Sequence, residues 1–198
     1  EAIENAESLL RWLYILPDRP ERRVLSGQEI GCYDAPQGYY DYAEGIERRT
    51  GKLPAFIETD YFASIHENFF VDADRKTEIL LKHWRAGGLV GVHANMANPW
   101  TGRKVGDMNR GTGQYSDCYT PGTEPYKVMK ANFDLLADEF LKLQKHGVVL
   151  LFRPFQEVNG GWFWWFSKDP DGFKNMWRHW HTYLRKERGV HNLLWVYS

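Results

Sequence analysis

A chain of 198 residues is long enough for one domain and too short for two full enzymes. Its 25 basic and 26 acidic residues leave a formal charge of −1, which removes the basic field that DNA or RNA binding uses, so no nucleic-acid partner is expected. Hydrophobic residues at 43% supply a core and exclude disorder, while no run approaches the roughly 18–20 apolar residues of a membrane span, so no membrane partner is expected either. Nine Trp, eleven Tyr and eleven Phe are an unusual load, and rings in that number serve as core packing or as platforms for a flat ligand.

Residues 1–14 predict a short helix that runs into a turn at Asp18-Arg19-Pro20, and its acidic start is unlike the basic end of a signal peptide. Val24 to Gln28 is a short extended segment. Tyr40 to Arg49 reads as a helix stopped by Gly51, and Pro54 to Glu58 as a buried strand whose polar end carries Glu58, Thr59 and Asp60. Asp74 to Arg85 is helical, ends at Gly87-Gly88 and leads to the apolar run Leu89 to Val92. From Asn98 to Pro125 the chain is rich in Gly, Pro, Thr and Asp without periodicity, and a loop this long inside a compact domain is usually functional. Gly111-Thr112-Gly113 within it does not open a helix and reads as a turn.

Phe133, Leu136, Ala137, Phe140 and Leu143 recur at helical spacing, with Gly147 as the C-terminal stop, and Val148 to Phe152 follows as an apolar strand. Phe173, Met176, Trp177, Trp180, Tyr183 and Leu184 repeat the helical spacing up to Gly189, before a last strand, Leu193 to Tyr197. Near-continuous apolar strands alternating with amphipathic helices predict an α/β fold with a parallel sheet of five strands and four connecting helices. Polar residues gather where each strand ends: Gln28-Glu29, Glu58 to Asp60, His93 to Asn95, Arg153 to Glu157, and Ser198. That edge carries the site in parallel α/β architectures. A doubly wound sheet could close with five strands, but no glycine-rich phosphate loop follows any of them.

Cys32 and Cys118 permit one disulfide or are two unrelated thiols. His179 and His181, two apart on a helix, point to different faces, so neither a metal nor another cofactor is expected.

The segment Arg153-Pro154-Phe155-Gln156-Glu157-Val158-Asn159-Gly160-Gly161-Trp162-Phe163-Trp164-Trp165 carries the chemistry. A buried strand ends in an acid with an amide on either side, two glycines and several tryptophans. Desolvation against those aromatic walls would raise the carboxyl of Glu157 and equip it as a general acid, whereas the plainer alternative is a carboxylate beside a core aromatic cluster. Trp100, Trp164, Trp165 and Tyr61 also lie near strand ends, where they line a glycan cleft or pack beneath the loops. Trp177, Trp180 and Trp195 have the spacing of core residues.

This segment resembles the acid/base signature of glycoside hydrolase family 26, the β-mannanase family of retaining (β/α)8 TIM-barrel glycosidases. Leu25-Ser26-Gly27-Gln28 resembles the family's first strand, Gly87 to Pro99 its third with the trailing Asn-Pro, and Asn192 to Ser198 its fifth, so residues 1–198 read as the first to fifth strands of a catalytic domain. The resemblance implies that Glu157 is the proton donor and later the general base, that Trp162 is an aromatic surface beside the sugar, and that Arg153 orients the catalytic carboxylates. Gln156, Asn159, His93, Asn95 and Trp100 become substrate-binding candidates. Two positions depart from the family pattern: Gln156 stands where His usually precedes the acid/base, and Asn95 stands where His often lies three residues before the Asn of Asn-Pro. The family's nucleophile is a Glu at the end of the seventh strand, so the chain is expected to be part of a longer domain; Glu58 or Asp60, at the second strand end, are more apt to bind hydroxyls or support the site than to replace it. The implied activity is endo-β-1,4-mannanase by double displacement on a β-mannan, in a secreted or extracytoplasmic protein. A β-1,3-xylanase, a mixed-linkage β-glucanase and a non-catalytic glycan-binding module are the alternatives.

Overall fold

A computed structural model describes residues 2–20, 24–31, 34–61, 73–102, 107, 113–166 and 169–198. Five strands form one parallel sheet in sequence order: β1 (Gly27–Glu29), β2 (Phe56–Asp60), β3 (Leu89–Ala94), β4 (Leu150–Pro154) and β5 (Leu193–Trp195). A doubly wound sheet reverses strand order at a switch point, and this one does not, which is the progression of a (β/α)8 barrel.

Helical segments fill all four crossovers, as predicted. After the leading helix α1 (Ala2–Ile15) and the strand β1, the first crossover is irregular: α2 (Ala35–Gly38), a widened turn over Tyr39–Ala43, then α3 (Glu44–Thr50). The remaining crossovers contain α4 (Ala73–Arg85), α5 (Glu124–Gln144) and α6 (Pro170–Thr182). Local chemistry starts α5 and α6. The Thr123 hydroxyl accepts from the Tyr126 amide ahead of α5, and the Asp169 carboxylate accepts from the Gly172 amide ahead of α6, each with a proline in the first turn whose missing N–H costs nothing there.

The apolar stripe of α5, with Phe133, Leu136, Phe140 and Leu143 at 0% exposure, lies on the outer face of the sheet. Phe140 meets Phe152 edge-on at 4.9 Å, and Phe133 stacks on Trp180 of α6 at 4.6 Å and 5°. Each such side chain contributes about 1.5–3 kcal/mol on full burial. This outer layer, with Ile57, Val90, Val92, Leu150 and Phe152, is the core.

The expectation of strands apolar on both faces is corrected here. In β2, β3 and β4 the helix-facing side is apolar apart from Thr59; the inner face carries Phe56, Glu58, Asp60, His93, Leu151 and Arg153, and of these Phe56, Glu58, Leu151 and Arg153 are only half-buried. β2 and β4 accordingly start and end two residues later than the apolar runs suggest, because backbone pairing continues through polar positions: Asp60 is level with His93, and His93 with Arg153.

Trp180 is buried as expected, but Trp177 and Trp195 are half-buried, meeting each other at 5.5 Å beside β5. Tyr61, Trp164 and Trp165 are fully buried beneath the loops, so they offer no stacking surface. Cys118 is buried, whereas Cys32 lies outside the described residues, as do Gly111 and Thr112. No helix among the described residues is long and apolar enough to cross a membrane.

Candidate active site

The C-terminal ends of the strands bring one polar constellation together. In-register pairing places Glu29 beside Glu58 and Asp60 beside His93, all on the inner face, with Arg153 next along. Arg153 grips Glu58 with two hydrogen bonds, Nε to Oε1 at 3.2 Å and Nη2 to Oε2 at 2.7 Å. Burial alone would raise the Glu58 carboxyl, but His93 and the Arg153 guanidinium outweigh it and hold the group below the usual carboxylate range. Arg153 thus orients Glu58; its hydrogen bonds do not go to Glu157.

His93 is 8% exposed and sits in a cage of carboxylates, its Nδ1 3.7 Å from Glu29 and 3.8 Å from Glu58, its Nε2 3.7 Å from Asp60. Burial disfavours the imidazolium, yet Glu58, Asp60 and Glu29 together raise its pKa above the ordinary value. Desolvation in turn raises Asp60 and Glu29, against the pull of His93. Asp60 is fully buried and accepts from the Asn95 backbone amide at 3.1 Å and from the Asn95 side-chain amide, while Gln156 Nε2 reaches Asn95 Oδ1 at 3.4 Å. Three ligand atoms of Glu29, Glu58 and His93 lie within 4.8 Å of one another and could converge on a cation, although Arg153 already occupies both oxygens of Glu58.

Just past β4 the backbone takes a conformation that bulky residues rarely adopt. Phe155 and Glu157 both have φ of 54°, a left-handed pair flanking Gln156 that costs about 1–3 kcal/mol per residue. Phe155 is 1% exposed and boxed by Trp164 and Phe173 at 5.9 Å and by Trp165 at 5.8 Å, so its ring has no room to swing. The turn projects Glu157 outward. Its carbonyl accepts from the Gly160 amide at 2.8 Å, and its Oε2 accepts from the Trp162 indole N–H at 2.8 Å. A Cβ at Gly160 would lie 2.3 Å from the Trp162 ring, so a side chain there would displace the ring from its place over the turn.

The carboxylate of Glu157 is not dried as expected. Glu157 is exposed and Trp162 is 57% exposed, since the tryptophans that follow turn inward to pack on Phe155 and leave only Trp162 beside the acid. Asn159 is exposed on the same turn. Trp100 is half-buried in the loop after β3, where it meets Trp164 edge-on at 5.7 Å and its indole N–H donates to Asp117 at 3.3 Å. His179 and His181 do face different neighbours, the first Tyr119 and Tyr126, the second Trp195.

The structure therefore gathers Arg153, His93, Asn95 and Gln156 into one network, sets Glu157 and Trp162 as a hydrogen-bonded pair, and embeds Trp100 in loop packing. Sequence reasoning did not anticipate the cage of Glu29, Glu58 and Asp60 around His93. The available signal was the charge at successive strand ends, but its meaning depended on register.

Comparison with known proteins follows the same lines. The family model of glycosyl hydrolase family 26 matches residues 1–198. A mannan endo-1,4-beta-mannosidase of Bacillus subtilis is 31% identical over 212 residues, covering 100% of this chain and 58% of that protein. Mannan endo-1,4-beta-mannosidase A and B of Caldalkalibacillus mannanilyticus is also 31% identical, over 100% of this chain and 40% of its own length. The solved structure of a Bacillus subtilis mannanase, man26, matches with a TM-score of 0.84 and 29% identity across 99% of this chain and 63% of the other. A beta-mannanase from a symbiotic protist of the termite Reticulitermes speratus, complexed with gluco-manno-oligosaccharide, shares the fold at a TM-score of 0.79 and 21% identity. The chain spans less than two thirds of these relatives, so its sheet corresponds to part of a TIM barrel. With every residue inside the family match and the strand succession shared, the chain belongs to glycosyl hydrolase family 26.

Proposed function

We propose that this chain supplies the acid/base side of a retaining endo-β-1,4-mannanase. The observation that carries the reading is the pairing of Glu157 with Trp162 at the end of β4, where the indole N–H donates to Oε2 at 2.8 Å and leaves Oε1 to face a ligand. In double displacement Glu157 gives its proton to the departing glycosidic oxygen, and then takes one from the water that attacks the glycosyl-enzyme intermediate. The exposed Trp162 ring offers an apolar face to the C–H side of a pyranose, and a polymer laid across this edge excludes water from the carboxylate. Gln156, Asn95 and His93 present hydrogen-bonding groups on the inner side, and Asn159 on the outer side of the turn. Gln156 does so without a titrating ring.

Retention also needs a nucleophile about 5–5.5 Å from the acid. Asp60 is sealed at 0% exposure and Glu58 is held at both oxygens by Arg153, so both are supporting groups in this reading. The second carboxylate belongs to the part of the domain that the mannanase relatives have beyond the region matched here. Two of those relatives are named as mannan endo-1,4-beta-mannosidases, which makes β-mannan the first substrate to test, with β-1,3-xylan and mixed-linkage glucan beside it.

The test is Glu157→Ala in the full-length protein. Turnover of mannan should fall by about 10²–10⁴-fold, the usual contribution of a general acid/base. Unchanged turnover would remove the assignment. Binding of mannan with no hydrolysis by the intact protein would instead favour a glycan-binding module, a reading that the exposed Trp162 also supports.

A further inference from the structure

Two left-handed residues separated by one residue are an unstable way to present a carboxylate unless something fixes the intervening carbonyl. The Trp165 indole N–H donates to the carbonyl of Gln156 at 2.7 Å, between Phe155 and Glu157, both at φ 54°. Trp165 is 0% exposed, stacked on Phe163 at 4.6 Å and 24°, and its own carbonyl accepts from the Tyr115 hydroxyl at 3.0 Å. The strained turn is therefore tied through Trp165, by its indole on one side and its backbone carbonyl on the other, to the segment around Tyr115 that precedes α5. Relaxing Phe155 or Glu157 to negative φ would rotate that peptide, pull the carbonyl from its donor inside a dry cluster, and turn the Glu157 side chain away from its present direction.

We propose that Trp165 is a positioning residue for proton transfer: by holding the Gln156 carbonyl it keeps the Glu157 turn strained and its carboxyl aimed at the leaving oxygen. This rests on the acid/base reading of Glu157. Trp165 itself touches no sugar, so its loss should affect the protonation step more than binding.

The experiment uses leaving groups to isolate that step in the full-length protein. Natural mannan expels a sugar alkoxide that needs the proton, whereas 2,4-dinitrophenyl β-mannobioside expels a phenolate that does not. Trp165→Phe removes the N–H, and replacement of Trp165 by benzothienylalanine removes it while conserving the ring's size, which guards against a variant that fails to fold. Both should lower kcat on mannan by about 10- to 100-fold, the range for a misplaced catalytic group, with KM within about twofold and kcat/KM for the dinitrophenyl substrate within about twofold. Trp164→Phe is the matched control, because that ring packs on Phe155 at 5.9 Å as Trp165 does, but its indole N–H donates to the Met96 carbonyl at 2.8 Å instead of to the turn. It should leave the ratio of the two substrates unchanged.

Equal losses on both substrates, or no loss on mannan with the benzothienylalanine protein, would overturn the positioning role. Glu157→Ala run in parallel separates the two levels. If that variant loses mannan and dinitrophenyl glycosylation equally, the acid/base reading itself fails and this inference goes with it. If it shows the leaving-group dependence and the Trp165 variants do not, only the positioning role is refuted.

Discussion

Replacing Arg153 by methionine keeps most of the aliphatic stem and deletes the guanidinium that binds both oxygens of Glu58 at 3.2 and 2.7 Å. Glu58 would be left 15% exposed at its side chain, with the His93 imidazole at 3.8 Å beside it. Removing one partner of a buried ion pair costs about 3–5 kcal/mol. The Arg153 side chain is 24% exposed, so water already screens part of the interaction, and a cost of about 2–3 kcal/mol follows. Glu58→Gln should cost less, about 1 kcal/mol, because the long Arg153 side chain can carry its charge to solvent. The double variant removes both charges and should recover about 1–2 kcal/mol of the summed loss. Urea denaturation of the full-length protein at neutral pH, followed by tryptophan fluorescence, measures all four corners of the cycle. Additivity within about 0.5 kcal/mol would mean that the pair is a surface contact with no structural weight, and the account of the inner-face network would be wrong.

The pH dependence of the same network can be read through His93. Its pKa is raised above 6.5 in the fold by Glu58, Asp60 and Glu29, so its contribution is fully present below the unfolded value and is lost as pH rises through the folded one. The raised carboxyls of Asp60 and Glu29 lose their contribution in the same direction, as pH rises through their own folded values, whereas Glu58, lowered, loses its contribution as pH falls. His93→Gln should therefore flatten the decline in melting temperature of the full-length protein above pH 6.5; an unchanged slope there would contradict the cage. Gly38→Ala tests the first crossover, since a Cβ would fall 1.7 Å from the Ile30 carbonyl oxygen, backbone against backbone. It should cost about 3 kcal/mol by chemical denaturation, against about 1–2 for Gly122→Ala, which meets nothing within 4 Å and carries only the strain of φ 97°. Equal costs would show that α2 shifts freely at the end of β1.

Much of the architecture is legible in the sequence alone. The stripe of Phe133, Leu136, Phe140 and Leu143 read as a buried helix face because side chains repeat on one side every three or four residues whatever the tertiary setting, and all four are at 0% exposure. Five strands, four helical crossovers and the polar strand ends followed from the same kind of local pattern, as did the resemblance of the run from Arg153 to Trp165 to a glycosidase signature. That run was also expected to place an acid among aromatic rings. In the fold, however, Trp164 and Trp165 turn inward and Glu157 faces solvent beside Trp162 alone.

Tertiary structure decided what depends on register and on backbone dihedrals. Glu29, Glu58, Asp60, His93 and Arg153 come from four separate strands, and only parallel pairing that sets Glu58 level with Glu29, and Asp60 level with His93, makes them one network. A composition rich in Trp indicates rings but not which of them stack outward, because that follows from the left-handed turns at Phe155 and Glu157. The carbonyl between those turns accepts from a donor nine residues away in sequence, the Trp165 indole. Periodicity and residue type act over one or two turns of chain and can be read from the sequence in order, whereas contacts between strands far apart in sequence exist only after the sheet has formed.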